Sequence, residues 1–245
     1  MFIFAELIFY VDQLETMKLC KKLKCDRCQY KCEIFESLNR RNQTPVDIDT
    51  INITYKRHEQ ICKQGSPVTH AIYLISGSAK LYIEGLNNRN IILNIMRPGD
   101  YIGLLSFFES PHYFYSIMAL EESNICMIDL ALVKELYLDD HQLLVSLNAA
   151  FGHSVANIMT KLISLNQKQI RGRIAESLLY LSDLNGCDEF PMGLTRRELG
   201  ELSGISEENA VRLLTELRKE KIIDVDGRNI SILDRRILQK ICEVG

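Results

Sequence analysis

Residues 194–217, LTRRELGELSGISEENAVRLLTEL, decide the fold. Thr195, with Glu198 three residues later, is the signature of a capping box, in which two side chains satisfy free backbone amides at a helix start. Ser206 is a suitable N-cap for a second helix, and Gly204 lies in the short turn between the two helices. The stretch therefore predicts a helix-turn-helix.

The segments on either side extend this unit. Residues 171–184, RGRIAESLLYLSDL, have the periodicity of an amphipathic helix. Residues 222–233, IIDVDGRNISIL, read as two strands joined by Asp226-Gly227, a dipeptide that favours a tight hairpin turn. Three helices followed by a hairpin predict a winged helix-turn-helix.

A long helix is predicted before this unit, because apolar residues step by threes and fours over more than 20 positions. Such a seam is typical of a dimerisation helix, although a helix packed on its own domain gives the same pattern. The residues that we expect at the dimer interface are Leu144, Leu147, Phe151, Val155, Ile158, Leu162 and Leu165.

The segment from Ile51 to Asp129 alternates short β-rich runs with turn signals. Gly77 predicts a tight hairpin, and Pro98, Gly99 and Asp100 predict a second turn. Many short strands at this spacing indicate a small barrel or roll. The expected fold class is α+β, with a β-roll, a long helix and a winged helix-turn-helix.

Composition limits the functions that are possible. The chain has 245 residues, is 47% hydrophobic and 25% charged, and carries a formal net charge of −3, which excludes a disordered protein and one that coats nucleic acid by bulk charge. The apolar start MFIFAELIFYV is too short to span a bilayer and lacks the features of a signal peptide. We expect a cytoplasmic protein with reduced thiols and no membrane partner.

The second helix of a helix-turn-helix presents its first turns to the major groove, so the residues after Ser206 are candidate base readers. They are Glu207, Glu208, Asn209, Val211 and Arg212. Arg212 suits guanine and Glu208 suits the amine of cytosine, but the same pair, four residues apart, is equally compatible with an exposed intrahelical ion pair. Candidate phosphate contacts include Arg196 and Arg197 on the supporting helix and Arg228 at the hairpin turn.

Four of the eight cysteines fall between Cys20 and Cys32, and their spacing leaves three readings open. Four thiolates so close together suit a local zinc site, or the thiols are inert and solvated. Lysines and arginines nearby also favour redox-active thiols. The histidines show no spacing that is typical of metal ligands.

The whole order of parts resembles the CRP/FNR family of bacterial transcription regulators. The resemblance rests on ICKQGSPVTHAIYLISGSAKLY, RPGDYIG, the long helix, QIRGRIAESLLYL and residues 194–217, and it covers residues 35–235. It implies a homodimer that binds a palindromic operator in double-stranded DNA, with a TGA-like core in each half-site read by Glu208 and Arg212. It also implies RNA polymerase as a partner.

The family's cyclic-nucleotide pocket uses a glutamate after the PGDYIG-type turn and an Arg-Ser pair about ten residues later. The corresponding positions here are Leu104 and Tyr115-Ser116. Without the arginine there is no guanidinium fork to hold a cyclic phosphate, so cyclic AMP is not expected as the ligand. Phe107, Phe108 and neighbouring aromatic residues leave room for an apolar effector instead.

The iron-sulfur branch of the family holds a [4Fe-4S] cluster with three cysteines of an N-terminal arm and a fourth in the roll. The resemblance implies Cys25, Cys28, Cys32 and Cys126 as ligands, with Cys20 as an alternative to one of them. It departs from the best-known member in a gap between Cys28 and Cys32 that is two residues shorter. The cluster would sense oxygen, nitric oxide or redox state. The resemblance also leaves haem as an alternative, because relatives sense gases through haem, which one of the histidines would bind.

The expected organisation is a cysteine-rich arm (1–38), a β-roll sensor (39–137), a dimerisation helix (138–170) and a winged helix-turn-helix (171–245). An alternative is a metal-binding protein of the same fold that no longer reads DNA. The sequence contains no nucleophile–base pairing, phosphate loop or HExxH motif, so we do not expect an enzyme.

Overall fold

The computed structural model describes residues 18–19, 32–41, 50–103 and 111–245. The chain divides into two compact units. The first comprises the described residues up to Lys80 together with Met96–Ser154, and the second comprises Leu81–Ile95 and Val155–Gly245.

Three antiparallel sheets are formed by twelve strands of the described chain. These are β1 (Lys18–Leu19), β2 (Ile51–Tyr55), β3 (Gln60–Cys62), β4 (His70–Ser76), β5 (Ala79–Ile83), β6 (Ile91–Met96), β7 (Tyr101–Ile102), β8 (Ser116–Ala119), β9 (Ser123–Asp129), β10 (Glu189–Pro191), β11 (Ile223–Asp226) and β12 (Asn229–Ile232). The strand orders are β1-β2-β9-β4-β7, β3-β8-β5-β6 and β10-β12-β11.

The five-stranded sheet lies in the first unit and is centred on β9. Its register places Ile125 opposite both Ile53 of β2 and Leu74 of β4. Leu74 and Ile125 are fully buried. Alternate residues of β9 therefore supply the apolar face on which this unit is built.

The predicted hairpin at Gly77 is wrong, although the turn exists. β4 pairs with β7 and β9, whereas β5 belongs to the other sheet of the roll, so Gly77 forms a corner that carries the chain from one sheet to the next. Its φ is +84°, and a Cβ there would lie 2.7 Å from the Cα of Ser123. Only glycine fits this close approach.

Seven α-helices and one short 3-10 helix, Leu86–Asn88, complete the described chain. The α-helices are α1 (Glu33–Arg40), α2 (Leu130–Asp139), α3 (His141–Gln167), α4 (Ile170–Asn185), α5 (Arg196–Ser203), α6 (Glu207–Lys219) and α7 (Arg235–Val244). The long helical region expected from the sequence is interrupted at Asp140, where the extended backbone separates α2 from α3. The predicted β-roll, long helix and winged helix-turn-helix are all present, so the expected fold is confirmed.

We predict that Gly77→Ala lowers the free energy of unfolding by about 2–3 kcal/mol, because the new methyl group adds a steric clash to the strain of a positive φ. Gly65→Ala is the matched control, since Gly65 has the same φ of +84° but open space around it, and it should cost only about 1 kcal/mol. Urea denaturation measures both. Equal losses would show that the contact with Ser123 does not matter.

Candidate functional site

The helix-turn-helix of the second unit is held by its helix caps. Thr195 accepts a hydrogen bond from the amide of Glu198 (3.1 Å), and the Glu198 carboxylate accepts one from the amide of Thr195 (2.8 Å), so the predicted capping box is present. Ser206 caps α6 by accepting from the amide of Asn209 at 3.3 Å. Gly204 adopts the left-handed conformation in the turn between α5 and α6.

One face of α6 is packed and the other is free. Ala210, Leu213, Leu214 and Leu217 are buried, and together they fix how the helix is seated. The opposite face is exposed and carries the predicted reader residues Glu207, Glu208, Val211 and Arg212. The first turns of α6 are therefore accessible enough to enter the major groove of DNA.

The alternative of a Glu208–Arg212 ion pair is not what the structure forms. Arg212 donates to Glu216 (2.8 Å) and to Asn209 (3.2 Å). Hydrogen bonds from its own backbone amide and from the Ser206 hydroxyl lower the pKa of Glu208, which keeps its carboxylate ionised. Glu208 and Arg212 thus have separate hydrogen-bond partners, and neither side chain is held by the other.

The predicted phosphate contacts divide into two kinds. Arg196 is half-buried and donates to the carbonyl of Gly227 (3.2 Å), so it joins the start of α5 to the hairpin turn. Arg197 is exposed, with Glu201 at 3.3 Å, and Arg228 is exposed beside that turn. Arg197 and Arg228 are thus the more accessible cations, and Arg196 also has a structural task.

Sequence reasoning missed one residue of the exposed face. Thr215 lies one turn beyond Val211, is exposed, and donates its hydroxyl to the Val211 carbonyl at 2.9 Å. Its spacing of four from Val211 is the signal that identifies it.

A second candidate site lies in the first unit, where Cys32 and Cys126 belong to the same apolar cluster. Cys32 is buried immediately before α1, and Cys126 is half-buried on β9. Tyr101 connects their surroundings, because it hydrogen-bonds Cys32 and its ring contacts that of Tyr73, which lies opposite Cys126 in the sheet. The two ring centroids are 5.0 Å apart and the rings are tilted by 57°.

The polar groups of this cluster are paired. Tyr101 donates its hydroxyl to Glu33 at 2.7 Å. Burial, followed by the proximity of Cys32 and Glu33, raises the pKa of Tyr101. Tyr101 therefore stays protonated, and its single hydroxyl proton is donated to Glu33.

The other predicted metal ligands, Cys25, Cys28 and Cys20, lie outside the described residues. Within the described ranges, no three His, Cys, Asp or Glu side chains come together as a metal site. The structure thus brings two of the four proposed ligands, Cys32 and Cys126, into one cluster.

The predicted dimer seam lies along α3. Leu147 is only 2% exposed in the single chain and packs in the core of the first unit, so little of its surface is left for a partner. Leu162 is 56% exposed. The remaining predicted seam residues are half-buried: Leu144, Phe151, Val155, Ile158 and Leu165.

Three further apolar residues of α3 are more exposed than most of the predicted ones. Val145, Met159 and Ile163 are 51%, 58% and 56% exposed. At 100° per residue they fall within about 40° of one another, on one face of the helix. Periodicity alone could not identify them, because two adjacent apolar stripes run along the same helix and only tertiary packing shows which one is covered.

The described residues include some of the predicted cyclic-nucleotide contacts. Leu104 lies outside the described residues. Tyr115 and Ser116 are buried, and the Ser116 hydroxyl accepts from the amide of Gln64 at 2.9 Å. An aromatic ring thus stands where the family's arginine is expected, and the tilted ring of Tyr113 has its centroid 6.1 Å away.

None of the helices in the described ranges is long and apolar enough to cross a bilayer.

Comparison with known proteins gives two family matches. Residues 52–140 match a cyclic nucleotide-binding domain, and residues 172–241 match a Crp-like helix-turn-helix domain. The chain belongs to the CRP/FNR family of transcription regulators. Its helix-turn-helix is therefore a DNA-binding domain, and the prediction that the chain is not an enzyme is confirmed by the nature of its relatives.

Curated and solved CRP/FNR proteins align with most of the chain. The cAMP-activated global transcriptional regulator CRP of Escherichia coli O157:H7 is 25% identical over 187 residues, covering 74% of this chain and 89% of that protein. Electron transport regulator A of Shewanella oneidensis is 26% identical over 188 residues, covering 75% of each.

The crystal structure of FixK2 from Bradyrhizobium japonicum has the same fold, with a TM-score of 0.72 at 20% identity. It covers 79% of this chain and 98% of that one. Regulators of the CRP/FNR family bind DNA and function as dimers.

Proposed function

We propose that this CRP/FNR regulator binds a palindromic operator as a homodimer and adjusts that binding to oxygen or nitric oxide through a [4Fe-4S] cluster. The observation that carries the DNA-binding part is the free, polar face of α6 above a fully packed one. The observation that supports the signal is the shared cluster of Cys32 and Cys126.

The proposed organisation keeps the four segments expected from the sequence: an arm (1–38), a roll (39–137), a dimerisation helix (138–170) and a reader domain (171–245). The dimer would bury the apolar residues of α3 that a single chain leaves exposed, among them Leu162 and Met159. Covering such a stripe is a strong hydrophobic driving force for pairing.

The proposed reading of DNA uses side chains that the described contacts leave accessible. Arg212 would donate to guanine, Glu208 would accept from a cytosine amine, and Val211 would contact a thymine methyl group. These pairings fit a TGA-like half-site core. Contacts from Thr195, Arg196, Arg197, Ser206, Glu207, Asn209 and Arg228 would position the domain on the phosphates and groove edges.

The donor set suits the proposed cluster, because four cysteine thiolates are the ligands of [4Fe-4S] centres. Cys32 and Cys126 lie in an apolar cluster, and Cys25 and Cys28 would complete the set from the arm. A bound cluster would supply a group whose integrity depends on oxygen or nitric oxide. Zinc held by the arm cysteines, or haem, is the alternative, and cyclic AMP is not proposed as the effector because Tyr115 replaces the expected arginine.

The contacts around α1 give the arm a path to the dimerisation helix. α1 begins directly after Cys32 and ends at Arg40, which donates to Asp140 at 2.6 and 2.9 Å. Asp140 in turn accepts from the amides of Gln142 (2.9 Å) and Leu143 (3.2 Å), the first turn of α3. A change at the arm cysteines would therefore act on the start of α3 through one shared carboxylate.

A second ion pair strengthens this path. Arg41 binds Glu135 (3.2 Å) and Asp139, both on α2. α1 is thus attached to α2 and to the start of α3 by two consecutive arginines. Such a network resists displacement of α1 more than an isolated surface pair would.

Arg212→Ala should weaken binding to an operator with TGA half-sites by about 1–3 kcal/mol, or roughly 5- to 150-fold in Kd, because the bidentate contact to guanine is lost. Arg236→Ala is the matched control, since Arg236 is exposed on α7, outside the proposed reader face. Fluorescence anisotropy at fixed salt measures both. A loss that is equal for the operator and for scrambled DNA would contradict a base contact.

Cys126→Ala should abolish the cluster. Wild-type protein purified without oxygen should hold about four iron and four sulfide per chain and show a broad band near 400 nm that bleaches in air. The variant should hold less than half of that iron, whereas Cys187→Ala, a change at an exposed cysteine, should match the wild type. A colourless zinc protein would support the zinc site instead, and a sharp Soret band would indicate haem.

Arg40→Met should keep the wild-type iron content but reduce the ratio of aerobic to anaerobic operator Kd by about fivefold, because the arm loses its link to Asp140. Lys134→Met removes one exposed positive charge from α2 and should leave the ratio unchanged. Anisotropy before and after air exposure gives the ratio. An unchanged response in Arg40→Met would exclude this path without affecting the assignment of the cluster or the DNA readers.

A further inference from the structure

A cavity of about 130 Å³ lies wholly within the second unit. Its walls come from the sixth turn of α3, from α4, from β6 and from Leu202 near the end of α5. Its volume is close to that of engineered cavities of about 150 Å³ that hold benzene. The space therefore suits a molecule of about six non-hydrogen atoms.

Lys161 gives this cavity a positive charge. Its ammonium group donates to the carbonyl of Leu202, which is the one hydrogen bond formed by its three N–H groups to the part of the chain that the structure describes. Burial, with a smaller contribution from Arg173, lowers the pKa of Lys161 to about 8, while Glu176 opposes the shift. A partly desolvated ammonium with unused donors is stabilised by an anionic acceptor.

The other polar groups around the cavity also offer donors. The side-chain oxygen of Asn94 accepts hydrogen bonds from the Tyr180 hydroxyl (2.8 Å) and from the backbone amide of Ile95 (3.0 Å). The NH₂ group of the same side chain is therefore left for a ligand. Asn157 is exposed at the cavity, and its side chain forms no hydrogen bond with any described residue. Both carboxamides can therefore donate to a bound acceptor.

The one carboxylate at the cavity is already neutralised. Glu176 accepts from Lys168 at 2.8 Å and from the hydroxyl of Ser164. Leu93, Leu202 and the ring of Tyr180 provide apolar surface beside the donors. The lining thus combines one cation with unused N–H donors, two amide donors and an apolar wall.

We propose that this cavity is an effector site for a small organic carboxylate, with the carboxylate on Lys161 and the hydrocarbon part against Leu93 and Leu202. Leu202 lies one residue before the end of α5, two residues from Gly204 in the turn to α6. A ligand that shares Lys161 with the Leu202 carbonyl would act directly on the helix-turn-helix. The site is separate from the cysteine cluster and does not depend on it.

Isothermal titration calorimetry with sodium butyrate, in a buffer without other carboxylates, tests the site on the full-length protein. We expect saturable binding of one butyrate per chain and at least tenfold weaker binding of butyramide, a neutral molecule of the same size. Lys161→Met should bind butyrate at least tenfold more weakly. Lys240→Met, which removes an exposed charge from α7, should bind as the wild type does.

Asn157→Ala keeps the test valid if Lys161→Met does not fold. Asn157 has no hydrogen bond to a described residue that the change would remove, and the variant should bind butyrate about threefold more weakly. The affinity for butyrate should also fall about tenfold per pH unit above pH 8, because Lys161 loses its proton there. Glu176 and Arg173 are the charged groups that act on Lys161. Equal affinity for butyrate and butyramide, wild-type affinity in Lys161→Met, or no saturable binding would each overturn the proposal.

Discussion

Asp140 is the residue that joins α1, the helix directly after Cys32, to the first turn of the long helix α3. Its side chain, only 10% exposed, binds Arg40 at the end of α1 and caps the first turn of α3. Burial alone would raise its pKa, but hydrogen bonds from Arg40 and two helix amides lower the pKa to about 2. A depressed carboxylate pKa stabilises the fold above about pH 4, and this contribution is lost as pH falls toward 2. At physiological pH Asp140 is therefore ionised, and the ion pair with Arg40 does not respond to small changes in pH.

The same long helix also supports the reader domain. In the second unit, Lys161 of α3 caps the end of α5 at Leu202, and Arg173 of α4 donates to the carbonyl of Gly204 at 3.0 Å. Carbonyls at helix C-termini have no partner within the helix, so these cations satisfy groups that would otherwise be unpaired. The start of α3 is thus linked to α1 through Asp140 in the first unit, and its sixth turn contacts the helix-turn-helix in the second unit.

Local rules predicted the features that depend on a few neighbouring residues. The capping box of Thr195 and the left-handed turn at Gly204 follow from residue type and spacing alone, and both are present. Features that depend on distant partners could not be predicted in this way. The sequence signalled a turn at Gly77 but not which strands pair around it, and it marked Arg196 as basic but not that its guanidinium reaches the hairpin turn. Leu147 shows the same limit, because periodicity identifies an apolar stripe and only packing shows what covers it.

The most direct test of the proposed link between the cysteines and α3 is the rate of amide hydrogen exchange at Gln142 and Leu143. The rate is measured by NMR on protein purified without oxygen, and again after exposure to air. If the state of the cysteines reaches α3 through Asp140, exchange of these two amides should accelerate several-fold in air, because their acceptor is released, while buried amides of α6 such as that of Leu213 keep their rates. Unchanged exchange at Gln142 and Leu143, together with a loss of operator binding in air, would contradict the account and place the path of the signal elsewhere.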